Sequence, residues 1–256
     1  MKAMILAAGL GTRLRPLTDT RPKALVEIND RTLLEITITR LRTFGVTEAI
    51  INVHHFAQMV VQYLKSKNNF NMRLEISRED DQLLDTGGGL KKAAWFFLQD
   101  SARSNFTAKD EPFLLHNVDV ISAIDLTAML QFHKENRALA TLAVQSRETS
   151  RPLLFNEQLQ LCGRPVKGHS FTPSPKGPLP QSKQPSPLRP LAFSGIHIIS
   201  PRLLPQLTET GPFSIINSYL RLAAQGEKIL AFRHDNSYWR DLGKPADLTQ
   251  AALDLQ

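Results

Sequence analysis

Cysteine is almost absent from this chain. Cys162 is the single one in 256 residues, which excludes an internal disulfide and a zinc site built on cysteines and leaves the thiol a packing role. Long apolar runs are missing as well. No stretch approaches the ~20 residues that a membrane helix needs, and Met1-Lys2 lead directly into a short apolar run rather than into a signal peptide. A cytoplasmic protein without membrane contact is expected. Acidic residues disappear between Glu157 and Glu209, where Arg164, Lys167, Lys176, Lys183, Arg189 and Arg202 supply most of a formal charge of +7. The same segment holds Pro165, Pro173, Pro175, Pro178, Pro180, Pro185, Pro187 and Pro190. So much proline blocks helix and removes ladder donors, so residues 164–190 read as an extended basic surface loop. Phe171 is its one aromatic residue between Arg164 and Pro190. Base-stacking platforms are therefore lacking and nucleic acid is not the expected partner; the charge suits an anionic substrate instead.

What is present is a folded chain's balance, with 42% hydrophobic and 21% charged residues and a length that fits one α/β domain. Short runs rich in Ile, Val and Leu predict strands near Lys2 to Ala7, Glu48 to Val53, Arg73 to Ser77, Pro112 to Leu115 and Leu139 to Val144. Three- and four-residue apolar spacing predicts helices over Thr32 to Phe44, Ala57 to Lys67, Gly88 to Leu98 and Leu126 to Asn136. The alternation implies a mainly parallel sheet flanked by helices in residues 1–145, with ligands at the carboxyl ends of the strands. Beyond it, Leu153 to Phe155, Leu159 to Cys162 and Leu191 to Ile199 suggest a small antiparallel layer within residues 146–235. Helices are expected at Pro201 to Leu207 and Ile215 to Ala224. A strand from Lys228 to Arg233 and a closing helix from Pro245, within residues 236–256, complete the chain.

The most informative stretch runs from Met4 to Thr18: Met-Ile-Leu-Ala-Ala-Gly-Leu-Gly-Thr-Arg-Leu-Arg-Pro-Leu-Thr, followed by Pro22-Lys23-Ala24-Leu25. An apolar strand that opens into a glycine-rich loop lets backbone amides approach a polyphosphate. The P-loop pattern does not fit, and the dinucleotide fingerprint fails at Leu14, where it needs a third glycine. The whole string resembles the signature of the sugar-1-phosphate nucleotidyltransferases, and the likeness covers nearly the whole chain, loosely between Cys162 and Pro190. This resemblance implies a Rossmann-like nucleotide-diphospho-sugar transferase fold. It also implies attack of a sugar 1-phosphate on the α-phosphorus of a nucleoside triphosphate.

The resemblance also implies roles. Leu6, Ala8, Gly9, Gly11, Thr12 and Arg13 would hold the nucleotide, with Arg13 on the β- and γ-phosphates, and Lys23 would bridge the α-phosphate and the acceptor phosphate. Asp119 in Asn117-Val118-Asp119, and Asp241 in Trp239-Arg240-Asp241-Leu242-Gly243-Lys244-Pro245, match the two segments that hold Mg²⁺. Asp85-Thr86-Gly87-Gly88-Gly89 would close over the base and ribose through Thr86, Gly87 and Gly88. Its form is similar to the branch with N-acetylmuramate-1-phosphate uridylyltransferase and the heptose- and mannose-1-phosphate guanylyltransferases, which favours UTP or GTP. Gly195, in Phe193-Ser194-Gly195-Ile196-His197, would leave room for the sugar or else mark a bulge. Ser150, Arg151 and Asn156 are further candidates on that side. His54, His55 and His116 have no zinc spacing. Two other readings are cytidylyl transfer to a phosphocholine-like substrate, for which three Tyr and two Trp give little aromatic cage, and a non-catalytic nucleotide-sugar sensor.

Overall fold

The computed structural model describes residues 1–98, 111–165 and 187–255. Its strands, in chain order, are β1 (Lys2–Leu6), β2 (Glu27–Ile28), β3 (Arg31–Thr32), β4 (Glu48–Val53), β5 (Arg73–Arg78), β6 (Phe113–Asn117), β7 (Val120–Ser122), β8 (Ala140–Gln145), β9 (Leu153–Phe155), β10 (Leu161–Gly163), β11 (Arg189–Ile199), β12 (Ile229–Arg233) and β13 (Trp239–Asp241). The helices are α1 (Leu33–Thr43), α2 (Ala57–Ser66), α3 (Asp85–Lys92), α4 (Ala94–Leu98), α5 (Leu126–Asn136), α6 (Ile215–Ala224) and α7 (Pro245–Asp254). Residues Pro201–Gln206 form a 3-10 helix rather than an α-helix, with Pro205 inside it.

Strand register carries the functional geometry. β6, β1, β4 and β5 lie side by side and parallel, with Leu6 opposite Asn117 on one side and Asn52 on the other, and Asn52 opposite Ser77. Four carboxyl ends therefore finish at one level, and the chain that leaves each of them enters the same crevice. Successive side chains of a strand face opposite ways. Ala3 and Ile5 accordingly pack in one core with α1, α2, α5 and α7, while Met4 packs in the other with α3, α4 and α6. Local signals set the helix starts: Thr32 accepts the Glu35 amide at 3.0 Å, Asp125 accepts two amides at 2.9 Å, and Pro245 occupies the first turn of α7.

The expected small antiparallel layer is present: β10 pairs with β9 and β9 with the start of β11, both antiparallel. It is continuous with the main sheet, because β11 goes on to pair with β6 and β8, and β12 runs parallel to β8; among the described residues these strands belong to one nine-stranded sheet. One expectation needs correction. The helix expected over Gly88 to Leu98 instead begins at Asp85 and breaks at Ala93 into α3 and α4. Thr86 and the Phe213 carbonyl supply the anchoring that moves its start: Gly87 donates to Phe213 at 2.9 Å, and the Thr86 hydroxyl oxygen accepts the Ile215 amide at 3.0 Å. Most of the basic loop 164–190 lies outside the described residues.

Candidate active site

The segment after β1 turns sharply at Gly11, whose φ of 64° suits glycine. A Cβ there would lie 2.9 Å from the Thr18 methyl, and the turn is closed by Leu14 and Thr18, which donate to the Gly11 carbonyl at 2.8 and 2.9 Å. Asn52, at the end of β4, accepts the Ala7 amide at 2.8 Å and donates to Glu79 at 2.7 Å. Glu79 in turn accepts the Leu84 amide at 2.8 Å. Both side chains are buried, so a polar chain ties the glycine-rich loop to the entry of α3. A cavity of about 530 Å³ opens above it, lined by Leu6, Ala7, Ala8, Gly9, Gly11, Thr12, Arg13, Lys23, Asn52, Glu79, Asp85, Thr86, Asn117 and Asp119 among others.

A second cavity of about 930 Å³ adjoins the first through Arg13, Asp85, Thr86 and Asn117. Gly195 lines it at the point where β11 shifts register against β8 between Phe193 and His197. Its φ is 75°, and a Cβ would come within 2.9 Å of both Asn117 and Val120. Gly195 thus marks a bulge, as the second of its two readings had it, and the bulge borders the cavity. Ser150 and Arg151 also line this space, and Asn156 does not; its side chain accepts the Gln158 and Gln160 amides.

Two cation–carboxylate pairs flank the junction, Lys23–Asp119 on the wall of the first cavity and Arg13–Asp241 between the two. Lys23, on a 3-10 turn, contacts Asp119, and their side chains are only 9% and 18% exposed. Arg13 lies 4.0 Å from Asp241, a looser and more exposed pair. Asp241 is brought there by β13, which pairs with β7 so that Asp241 faces Val120, while Leu242 donates to the Asp119 carbonyl at 2.8 Å. Burial pushes the Asp241 carboxyl above its ordinary value, the Asp119 charge pushes it further, and Lys23 and Arg13 oppose both. Two carboxylates drawn together against their own repulsion, next to an open cavity, fit a hard cation that takes its other ligands from phosphate and water. Among the described residues no larger cluster of His, Cys, Asp or Glu could hold a metal.

Gly87 and Gly88 stand behind the cavity wall rather than on it. Both amides point to the Phe213 carbonyl, and a Cβ on Gly87 would sit 2.3 Å from the Phe213 ring. Close packing of α3 on the 211–213 segment is what these glycines serve. Thr86 lines both cavities, and its hydroxyl proton is left over for a ligand because the oxygen already accepts from Ile215. His116 is buried with its Nδ1 2.8 Å from the Asn117 carbonyl, so that nitrogen carries the proton, and burial holds its pKa near about 4. Sequence reasoning gave no role to Asn52, Glu79, Arg147 or Trp239. Asn52 had a signal, a polar residue closing the apolar run Ile50-Ile51, whereas Arg147 had none.

Residues 2–153 match the family model described as nucleotidyl transferase. The N-acetylmuramate alpha-1-phosphate uridylyltransferase of Caulobacter vibrioides is 34% identical over 232 residues, 88% of this chain and 85% of that protein. The mannose-1-phosphate guanyltransferase of Aspergillus fumigatus is 29% identical over all of this chain, which spans 64% of that relative's length. Among solved structures, HddC from Yersinia pseudotuberculosis complexed with GMP-PN superposes with a TM-score of 0.74 at 19% identity, covering 100% of this chain and 99% of that one. A UDP-glucose pyrophosphorylase complexed with UDP-glucose gives 0.73 at 20% identity, covering 99% and 97%. At such identities the structural likeness establishes the fold.

Proposed function

The chain belongs to the nucleotidyl transferase family, and from that premise we propose that it transfers a nucleoside monophosphate unit from a nucleoside triphosphate to a sugar 1-phosphate, releasing pyrophosphate. The observation that carries this reading is the pair of joined cavities with Lys23–Asp119 and Arg13–Asp241 at their junction. One space fits a nucleotide against the glycine-rich loop, and the other fits an acceptor against β11 and β13. In the transfer, an oxygen of the acceptor phosphate forms a bond to the α-phosphorus while the bond to the β-phosphate oxygen breaks, and pyrophosphate leaves with the electron pair. The nucleophile is already an anion, so no side chain need remove a proton. What the protein must supply is alignment and positive charge. Lys23 brings a compact cation to the wall of the first cavity beside the junction, and Arg13, which lines both cavities, brings a fork of donors to the triphosphate. Asp119 and Asp241 would hold Mg²⁺, which when bound neutralises phosphate charge.

UTP or GTP is the favoured donor, since relatives named for uridylyl and for guanylyl transfer both align along most of this chain. An aromatic cage for a quaternary ammonium is not supported, because the Trp239 face is already covered by the Arg147 guanidinium at 3.8 Å. Among the described residues no helix is long and apolar enough to cross a membrane. The test is pyrophosphate release with each of UTP, GTP, CTP, ATP and dTTP against a panel of sugar 1-phosphates that includes N-acetylmuramate, mannose and heptose forms. Turnover confined to one or a few pairs is expected. Absence of pyrophosphate with every pair, in the presence of Mg²⁺, would overturn the proposal.

A further inference from the structure

Arg147 sits two residues past the end of β8, half-buried on the wall of the larger cavity and absent from the smaller one. Its guanidinium lies flat enough on Trp239 to bring its central carbon within 3.8 Å of the ring centroid. One terminal nitrogen, Nη2, donates to the Phe193 carbonyl at 2.8 Å, and the Trp239 indole donates to the Ser194 carbonyl, also at 2.8 Å. Cation and ring are thus both pinned to the chain just before the bulge at Gly195. A guanidinium has five N–H donors in a rigid fork. Here Nε is buried without a partner, and the Phe193 carbonyl is the one hydrogen-bond acceptor that the fork reaches among the described residues.

Position makes those spare donors significant. Trp239 and Asp241 are two apart on β13, so they project to the same side, and both line the larger cavity. Arg147, resting on Trp239, therefore looks into the space that Asp241 borders, from the side away from the glycine-rich loop. The Asp241 charge favours the charged form of Arg147, against the burial that disfavours it. A cation held in place by stacking but left short of acceptors is a pre-formed anion site, with the ordering cost already met by the fold.

We propose that Arg147 is the clamp for the acceptor's phosphate: its unused Nη donors hold the sugar 1-phosphate in the larger cavity and aim it at the junction, beside which Lys23 stands. The proposal rests on the reading of that cavity as the acceptor site. Lys23 and Arg13 then serve chiefly the nucleotide phosphates, and discrimination of the acceptor's charge falls to Arg147.

The test uses the whole chain carrying Trp95→Phe, which leaves Trp239 as its one tryptophan and changes an exposed residue that lines neither cavity. The probe is whichever sugar 1-phosphate gives turnover in the panel above, titrated in the presence of a non-hydrolysable triphosphate while Trp239 fluorescence is followed. Arg147→Gln should raise both the acceptor Kd and its KM by roughly 10- to 100-fold, the value of one or two charge-assisted hydrogen bonds. The nucleotide KM should stay within about twofold. Arg147→Lys should recover part of the affinity, because it keeps the charge without the fork. If Arg147 only props Trp239, Arg147→Gln lowers the melting temperature and shifts both KM values together; that result, or an unchanged acceptor KM, overturns the clamp. Failure of every sugar phosphate in the panel removes the acceptor-site reading and the clamp with it, which distinguishes the two failures.

Discussion

Replacing Lys23 with Ala removes the partner of Asp119 and should be read in two assays at once. Lys23 is 9% exposed and contacts a carboxylate that is 18% exposed, with Asp241 near enough for the Asp119 charge to disfavour its ionised form. Breaking a fully buried pair costs about 3–5 kcal/mol and an exposed one about 0–1. The partial exposure of Asp119 places Lys23→Ala between these, at about 2 kcal/mol. For a chain of this size that corresponds to a fall in Tm of roughly 4–8 °C. The loss should appear in EDTA and shrink when Mg²⁺ is added, because a cation between Asp119 and Asp241 replaces the missing ammonium. Turnover should fall by roughly 10²- to 10³-fold, the usual cost of one preorganised charge at the reacting phosphates. That factor should be similar for every nucleoside triphosphate, since in the proposed role Lys23 meets phosphate and not base. An unchanged Tm in EDTA, or a loss of activity with one base only, would refute the placement of Lys23 at the junction.

The remaining predictions concern neighbouring parts of the same fold. Asp241→Asn should lower turnover by about 10³-fold if the carboxylate holds the metal, yet melt no lower than wild type in EDTA because a partly buried charge repelled by Asp119 is gone; a clear drop in Tm would contradict that electrostatic account. Gly87→Ala gains up to about 1 kcal/mol of helix propensity but drives a methyl to 2.3 Å from Phe213. It should lose about 1–2 kcal/mol net, with recovery in the Gly87→Ala, Phe213→Leu double variant. Burial holds His116 and His234 near about 4 and His197 near about 3, whereas unfolded histidines titrate near 6.5. The unfolded state then binds more protons below pH 6.5, so stability is full above that pH and falls as pH drops toward 4, by up to about 1.4 kcal/mol per pH unit for each histidine. His197→Gln should flatten the dependence of the urea midpoint on pH over that range; an identical slope would show that His197 is not held neutral.

How much of this was legible in the chain differs between local and long-range features. Elements with a strong period and a capping residue came through: α5 lies at Leu126–Asn136 as its spacing predicts, and β4 at Glu48–Val53 likewise. The two-residue strands β2 and β3 and the β7–β13 pair did not, because they are too short for a period of two to show and exist only where distant segments meet. The antiparallel layer of β9, β10 and β11 was legible, but not its continuation into the main sheet. Apolar alternation in Leu191 to Ile199 identifies a strand but carries no information about its further pairing with β6 and β8.

The site divides along the same line. Arg13, Lys23, Asp119 and Asp241 were readable because each sits inside a dense local pattern, and the structure brings all four to one junction. Gly87 and Gly88 belong to an equally dense pattern, yet they do not line the cavity. A glycine records only that something lies close; whether a nucleobase or the Phe213 ring lies there depends on a segment some 125 residues away. Arg147 shows the converse. Nothing beside it in the sequence distinguishes it from other surface arginines, and its significance comes from Trp239 on β13 and from Phe193 on β11, which fold around it. On the proposed reading, the residues that would meet the nucleotide come mainly from the first strand and its loop, where neighbours in sequence are neighbours in space. The cavity proposed for the acceptor is assembled around β8, β11 and β13, so its specificity would be written in contacts between strands and can be read only from those contacts.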